Sequence, residues 1–227
     1  FIKEYSLKHT SSDVLAIANA YNLQRFHLVG HDWGASVGWA FVAEYPERLY
    51  SWTSLSIPHM KAFQEAYRTD FDQQRKSKYI GFFNMPFFPE LYLSFNDYNN
   101  LKNIWRAHGD EEKEAYLSVF RQSGALRSAL NWYRANIGRR RNPSDHINFG
   151  NVEVPTLLIW GNMDMAVGRK SIDLNKQYMA GPYNFLELYV GHWLIQESFD
   201  DVSKAIINHI KTYSLEYYEP QLGKRKK

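Results

Sequence analysis

Apolar and polar positions along the chain follow two rhythms, which change near residues 58 and 147. Outside that interval, short continuous apolar runs alternate with stretches of helical spacing. Phe26-His27-Leu28-Val29 predicts one strand, Leu49 to Ile57 a second, Thr156-Leu157-Leu158-Ile159-Trp160 a third and Phe185 to Leu188 a fourth. Among them, Ser12 to Tyr21 carries Val14, Leu15, Ile17 and Ala18 on one helical face behind the candidate caps Ser11, Ser12 and Asp13. Ala35 to Tyr45 is dense in small and apolar residues and stops at Pro46, while Ser171 to Met179 and Val202 to Tyr213 predict two later helices. Continuously apolar strands suit a sheet covered on both faces, and parallel strands need helical crossovers to connect them. The expected fold class is α/β, a mainly parallel sheet flanked by helices.

Inside the interval the pattern is helical, rich in aromatics and without a convincing strand. It predicts a helical lid inserted into the core, with divisions at 1–58 (core), 59–147 (cap) and 148–227 (core). Phe82, Phe83, Phe87, Phe88, Tyr92 and Phe95 have two readings, ordinary buried core or the apolar wall of a substrate cleft. No repeat, low-complexity tract or Gly/Ser linker interrupts the chain.

With 227 residues, 44% of them hydrophobic, the chain can bury a sizeable core, which excludes a disordered class. There is no apolar run of about 18 residues, so a membrane role is not expected. The first residues, Phe1 to Tyr5, lack the plan of a signal peptide, and cytoplasm is the default location. The absence of cysteine excludes disulfides and thiolate chemistry. The net charge of +3 is gathered in Arg139-Arg140-Arg141 and Lys224-Arg225-Lys226-Lys227, without interleaved aromatics for base stacking, so no nucleic-acid partner is expected. No cysteine/histidine ligand cluster and no Gly-x-Gly-x-x-Gly loop is present, so neither a metal nor an organic cofactor is expected.

The chemistry is concentrated in Gly30-His31-Asp32-Trp33-Gly34, a glycine-flanked turn between a strand and a helix. Such an elbow displays its central side chain, and small residues two places to either side keep the backbone clear. Serine is the usual occupant. Aspartate in its place is already anionic at neutral pH and suits displacement at a saturated carbon, leaving an alkyl ester on the protein. Hydrolysing that ester takes an activated water, hence a base and an acid to orient it. Asp164, in Trp160-Gly161-Asn162-Met163-Asp164, follows one strand, and His192, in Gly191-His192-Trp193, follows the next. The order nucleophile, acid, histidine is that of α/β hydrolases. Of the other seven histidines, His9, His27, His59, His108, His146 and His209 lack a Gly-His turn after a strand, and His31 lies inside the elbow itself.

The segments His27 to Gly34, Ala43 to Arg48, Leu130 to Asn136 and Gly191 to Trp193 together resemble the α/β-hydrolase-fold epoxide hydrolases over nearly the whole chain. The resemblance implies that fold, with a helical lid, and conversion of an epoxide to a vicinal diol. It implies Asp32 as nucleophile, His192 and Asp164 as base and acid, the Trp33 N–H as an oxyanion donor, and a small apolar epoxide and water as partners. The elbow and the histidine turn are shared with haloalkane dehalogenases. The lid segment Asn131-Trp132-Tyr133-Arg134 separates the two, because it implies Tyr133 as proton donor to the epoxide oxygen. An opening epoxide develops an alkoxide, a poorer leaving group than halide, so it needs such an acid. Two departures stand out. Phe82, in the substrate-binding stretch Gly81 to Pro86, stands where a second lid tyrosine is expected, leaving Tyr79 and Tyr92 as candidates. No His-Gly-x-Pro loop supplies a second oxyanion donor, and the strands that would precede the elbow are missing, so the chain is expected to be the C-terminal part of a longer one. An uncovered elbow strand also leaves a homodimer open. Haloalkane dehalogenation by the same mechanism, or ligand binding without catalysis, are the alternative functions.

Overall fold

The computed structural model describes residues 1–105, 107–137 and 145–224, so the basic clusters at 139–141 and 225–227 fall outside it. Four strands form one parallel sheet: β1 (Phe26–His31), β2 (Leu49–Leu55), β3 (Thr156–Gly161) and β4 (Tyr183–Leu188), adjacent in that order. Helix α1 (Leu7–Ala20) precedes β1, and α2 (Trp33–Glu44) connects β1 to β2. Among the described residues, β2 is followed by α3 (Met60–Thr69), α4 (Phe71–Lys76), α5 (Lys78–Phe83), α6 (Phe88–Lys102), α7 (Asp110–Phe120) and α8 (Ala125–Asn136). After β3 come α9 (Arg169–Asp173) and a 3-10 turn, and after β4 come α10 (Leu194–Glu197) and α11 (Phe199–Lys224). This is the expected α/β class, a parallel sheet flanked by helices.

The core follows from the period-two alternation of β3, a strand buried at every position. Leu157 and Ile159 face one side, with Leu55, Leu194 and Val202; Leu158 and Trp160 face the other, with Val167 and Ile172. Covering both faces removes water from both sides of the strand, which is why its residues are continuously apolar. The outer strands β1 and β4 are only partly buried.

The elements depart from their sequence expectations where side chains reserve the backbone for something else. α1 starts at Leu7 rather than Ser12, because Ser6 Oγ accepts the His9 N–H (3.4 Å) and Asn136 Oδ1 accepts the Leu7 N–H (2.9 Å). Ser11, Ser12 and Asp13 lie inside the helix. β2 ends at Leu55 rather than Ile57: Ser56 still donates its N–H to Ile159 O (2.8 Å), but its φ of +69° turns the chain out of extended geometry. The expected Ser171 to Met179 helix is one short α-helical turn followed by the 3-10 turn Leu174–Tyr178.

The chain divides into two compact units, one of residues 11–76 and 147–227, the other of residues 1–10 and 77–146. The expected cap began at residue 59, whereas α3 and α4 belong with the sheet, α3 packing on α9. Residues 1–10 join the helical unit through Asn136, whose amide donates to Tyr5 O (2.9 Å), and through Tyr5 edge-on to Trp132 at 6.2 Å. In that unit the buried Arg134 forks onto Glu90 (2.7 and 2.9 Å) and donates to Met85 O (2.7 Å), tying α8 to α6. For four of the six lid aromatics the core reading fails, while Phe82 and Phe83 are partly buried. Phe87 (77%), Phe88 (63%), Tyr92 (54%) and Phe95 (68%) are exposed, and Phe88, Tyr92, Phe95 and Phe82 border a groove of about 590 Å³. Buried Leu93 and the Glu90 pairing turn the opposite face of α6 inward.

Candidate active site

β1 runs into α2 through Asp32, whose backbone (φ +53°, ψ −121°) lies outside the regions open to most L-residues and stores about 1–3 kcal/mol of strain. Gly30 permits this turn, because a Cβ there would sit 2.5 Å from Gly34 O. At Gly34, where the same crowding was expected, a Cβ would meet nothing within 4 Å, so the steric demand falls on one flank only.

Asp164 follows β3 in a tight turn and is wholly buried. Its Oδ1 accepts the N–H groups of Ala166 (2.7 Å) and Val167 (3.1 Å), which leaves Oδ2 for His192 Nδ1 at 2.8 Å. The opposite ring nitrogen of His192, Nε2, lies 3.2 Å from Asp32 Oδ1. One histidine thus joins a buried carboxylate to an elbow carboxylate that keeps 36% of its side chain exposed. The turns after β3 and β4 approach so closely that a Cβ on Gly161 would lie 2.2 Å from Gly191 O.

The His192 turn is fixed by residues that the sequence reading did not single out. His31 Nε2–H and Ser56 Oγ–H both donate to the His192 carbonyl, at 2.9 and 3.1 Å. The Glu197 carboxylate accepts the N–H groups of Gly191 (2.7 Å) and Trp193 (3.2 Å). The only advance signals were the adjacency of His31 to Asp32 and a Glu shortly after a Gly-His turn.

Charge organises the array. Burial favours a neutral His192 ring, but its hydrogen bonds to Asp164 and Asp32 and the charges of both carboxylates raise its pKa to about 10. Burial likewise opposes a charged Asp32; the His192 hydrogen bond, the neighbouring histidines and the Trp33 backbone N–H more than offset this and hold the carboxyl below its ordinary range. His31 is shifted down, by burial and by the adjacent His192 charge. The two carboxylates thus favour the imidazolium form of His192.

The lid candidates lie in the helical unit. Tyr133, half-buried on α8, packs edge-on against Phe83 (5.0 Å) and Tyr79 (5.9 Å). Phe82 packs on Phe83 (5.9 Å) and Tyr92 (5.5 Å). Of the two candidate second tyrosines, Tyr79 is the one whose ring meets Tyr133, while Tyr92 belongs to the exposed groove. Among the described residues no group of three or more His, Cys, Asp or Glu side chains could hold a metal ion, and no helix is long and apolar enough to cross a membrane.

Residues 2–198 match the model of the alpha/beta hydrolase fold, and the chain belongs to that family. Among curated proteins it is 32% identical to human epoxide hydrolase 4 over 92% of this chain and 60% of that protein. It is 28% identical to epoxide hydrolase 3 of Xenopus tropicalis over 92% of this chain and 59% of that one. The chain thus spans about 60% of the length of the curated relatives it matches. Among solved structures, a Bacillus megaterium epoxide hydrolase in complex with an inhibitor superposes with a TM-score of 0.83 at 21% identity, over 93% of this chain and 78% of that one.

Proposed function

We propose that the protein hydrolyses epoxides to vicinal diols through an alkyl ester on Asp32. The observation that carries this reading is a carboxylate, rather than a hydroxyl, at the apex of a strained elbow, hydrogen-bonded to a histidine that a buried carboxylate orients. The names of the curated relatives support it.

In the first step an Asp32 oxygen forms a bond to an epoxide carbon as the ring C–O bond breaks, and Tyr133 gives its hydroxyl proton to the departing oxygen. Esterification removes the Asp32 charge and with it one of the two carboxylates that raise the His192 pKa. The imidazolium then gives up a proton, balancing the one lost by Tyr133, and the neutral ring becomes a base. In the second step His192 takes a proton from water as the water oxygen attacks the ester carbonyl, with the Trp33 N–H on the oxyanion. The acyl C–O bond breaks, His192 passes the first water proton to the diol oxygen, and the second water proton moves from the re-formed carboxyl to His192, so Asp32 regains its carboxylate with one oxygen from water and the imidazolium is restored. Loss of the Asp32 charge on esterification thus favours the neutral ring at the stage where the base is needed.

Blocking the second step tests this reading. His192→Gln, incubated with aryl and alkyl epoxides beside 1-haloalkanes, is expected to gain the mass of one epoxide in intact-protein mass spectrometry. Adducts from haloalkanes alone would assign dehalogenation instead, and no adduct from any electrophile would reject Asp32 as a nucleophile toward them.

A further inference from the structure

Helix α4 makes contacts that neither the hydrophobic core nor the attack by Asp32 requires. Gln73 is completely buried, where an amide is tolerated only with both ends paired. Its Nε2 donates to Ala166 O (2.9 Å) and its Oε1 accepts the Gly168 N–H (2.8 Å). Those groups flank the two amides, of Ala166 and Val167, that hold Asp164 Oδ1. One turn further along α4, Lys76 Nζ donates to the Asp164 carbonyl itself. The helix is anchored in turn, since Asp70 Oδ2 accepts the Gln73 N–H at 2.8 Å. A continuous path of hydrogen bonds therefore runs from α4 through residues 164–168 to the Asp164 carboxylate and on to His192 Nδ1.

We propose that α4 clamps the turn that presents the acid, with Gln73 and Lys76 acting as positioning residues for the hydrolytic half of the reaction. The inference rests on the two-step reading above. Asp32 can attack without a correctly oriented base, whereas hydrolysis of its ester depends on the Nδ1–Oδ2 bond that selects the His192 tautomer and supports its positive charge. Loosening the clamp should therefore slow the second step and spare the first. Overall this lowers kcat and KM together and leaves kcat/KM, set by alkylation, unchanged.

The test is rapid-quench mass spectrometry of the full chain with a small aryl epoxide, following formation and decay of the alkyl-enzyme in Gln73→Leu, Lys76→Met and Lys76→Arg. Gln73→Leu and Lys76→Met are expected to decay at least about tenfold more slowly with formation within about twofold of the parent, and Lys76→Arg, which restores a donor, is expected to recover. If Gln73→Leu does not fold, the partly exposed Lys76 pair carries the test. Formation and decay falling in parallel, or neither changing, would overturn the clamp while leaving Asp32 as nucleophile. Failure of His192→Gln to accumulate any alkyl-enzyme would instead overturn the two-step reading and the clamp with it.

Discussion

The sheet-containing unit and the helical unit treat their informative side chains in opposite ways. In the first, the polar groups that matter are buried and held: Asp164 is wholly enclosed and three of its hydrogen bonds are at 3.1 Å or less. In the second, the most conspicuous apolar residues lie outside, with Phe88, Leu91 and Tyr92 at i, i+3 and i+4 on the exposed side of α6 and Phe95 exposed where the helix kinks. A helical apolar stripe usually marks the buried face. Here the Arg134–Glu90 ion pair decides which face of α6 turns inward, and the aromatic side is left to the groove.

The difference can be tested from its largest consequence downward. Asp32→Asn removes the nucleophile and is expected to lower turnover on the order of 10⁴-fold, measured by steady-state kinetics on protein shown to be folded by calorimetry. A lid residue should matter less: Tyr133→Phe is expected to slow alkylation by about 10²-fold, read as single-turnover formation of the ester, without slowing its decay. For stability the contrast is between two leucines. Leu158→Ala, fully buried in β3, should cost about 2–5 kcal/mol in denaturant unfolding, whereas Leu91→Ala, 67% exposed, should stay within about 0.5 kcal/mol. A large loss at Leu91 would show that the α6 stripe is covered after all.

The smallest effect concerns pH. Because the folded-state pKa of His192 is raised from 6.5 to about 10, its contribution to stability is complete below pH 6.5 and is lost as pH climbs toward 10. The excess of the parent's melting temperature over that of His192→Gln should narrow across that window. A constant difference would mean that the imidazolium is not held by the two carboxylates.

These contrasts also explain what was legible in the chain. The meeting of Asp32, Asp164 and His192 could be read because each follows a strand of one parallel sheet, and strand ends converge on one edge whatever their separation in sequence. The strands themselves were legible from continuous apolar runs, to within a few residues. Gln73, Lys76, Ser56, His31 and Glu197 were not, since each acts on a backbone atom, and a carbonyl carries no residue identity to pair with. The exposed aromatics misled for a related reason: their side of α6 is set by one distant arginine, 44 residues from its partner Glu90.

The central claim is that the oxygen entering the diol comes from Asp32 and is replaced from water afterwards. A single turnover with enzyme in excess, run in water enriched in oxygen-18, tests it directly. An unlabelled diol and one labelled oxygen in the peptide containing Asp32 are expected. A labelled diol with an unlabelled Asp32 peptide would mean that water attacks the epoxide directly, and would contradict it.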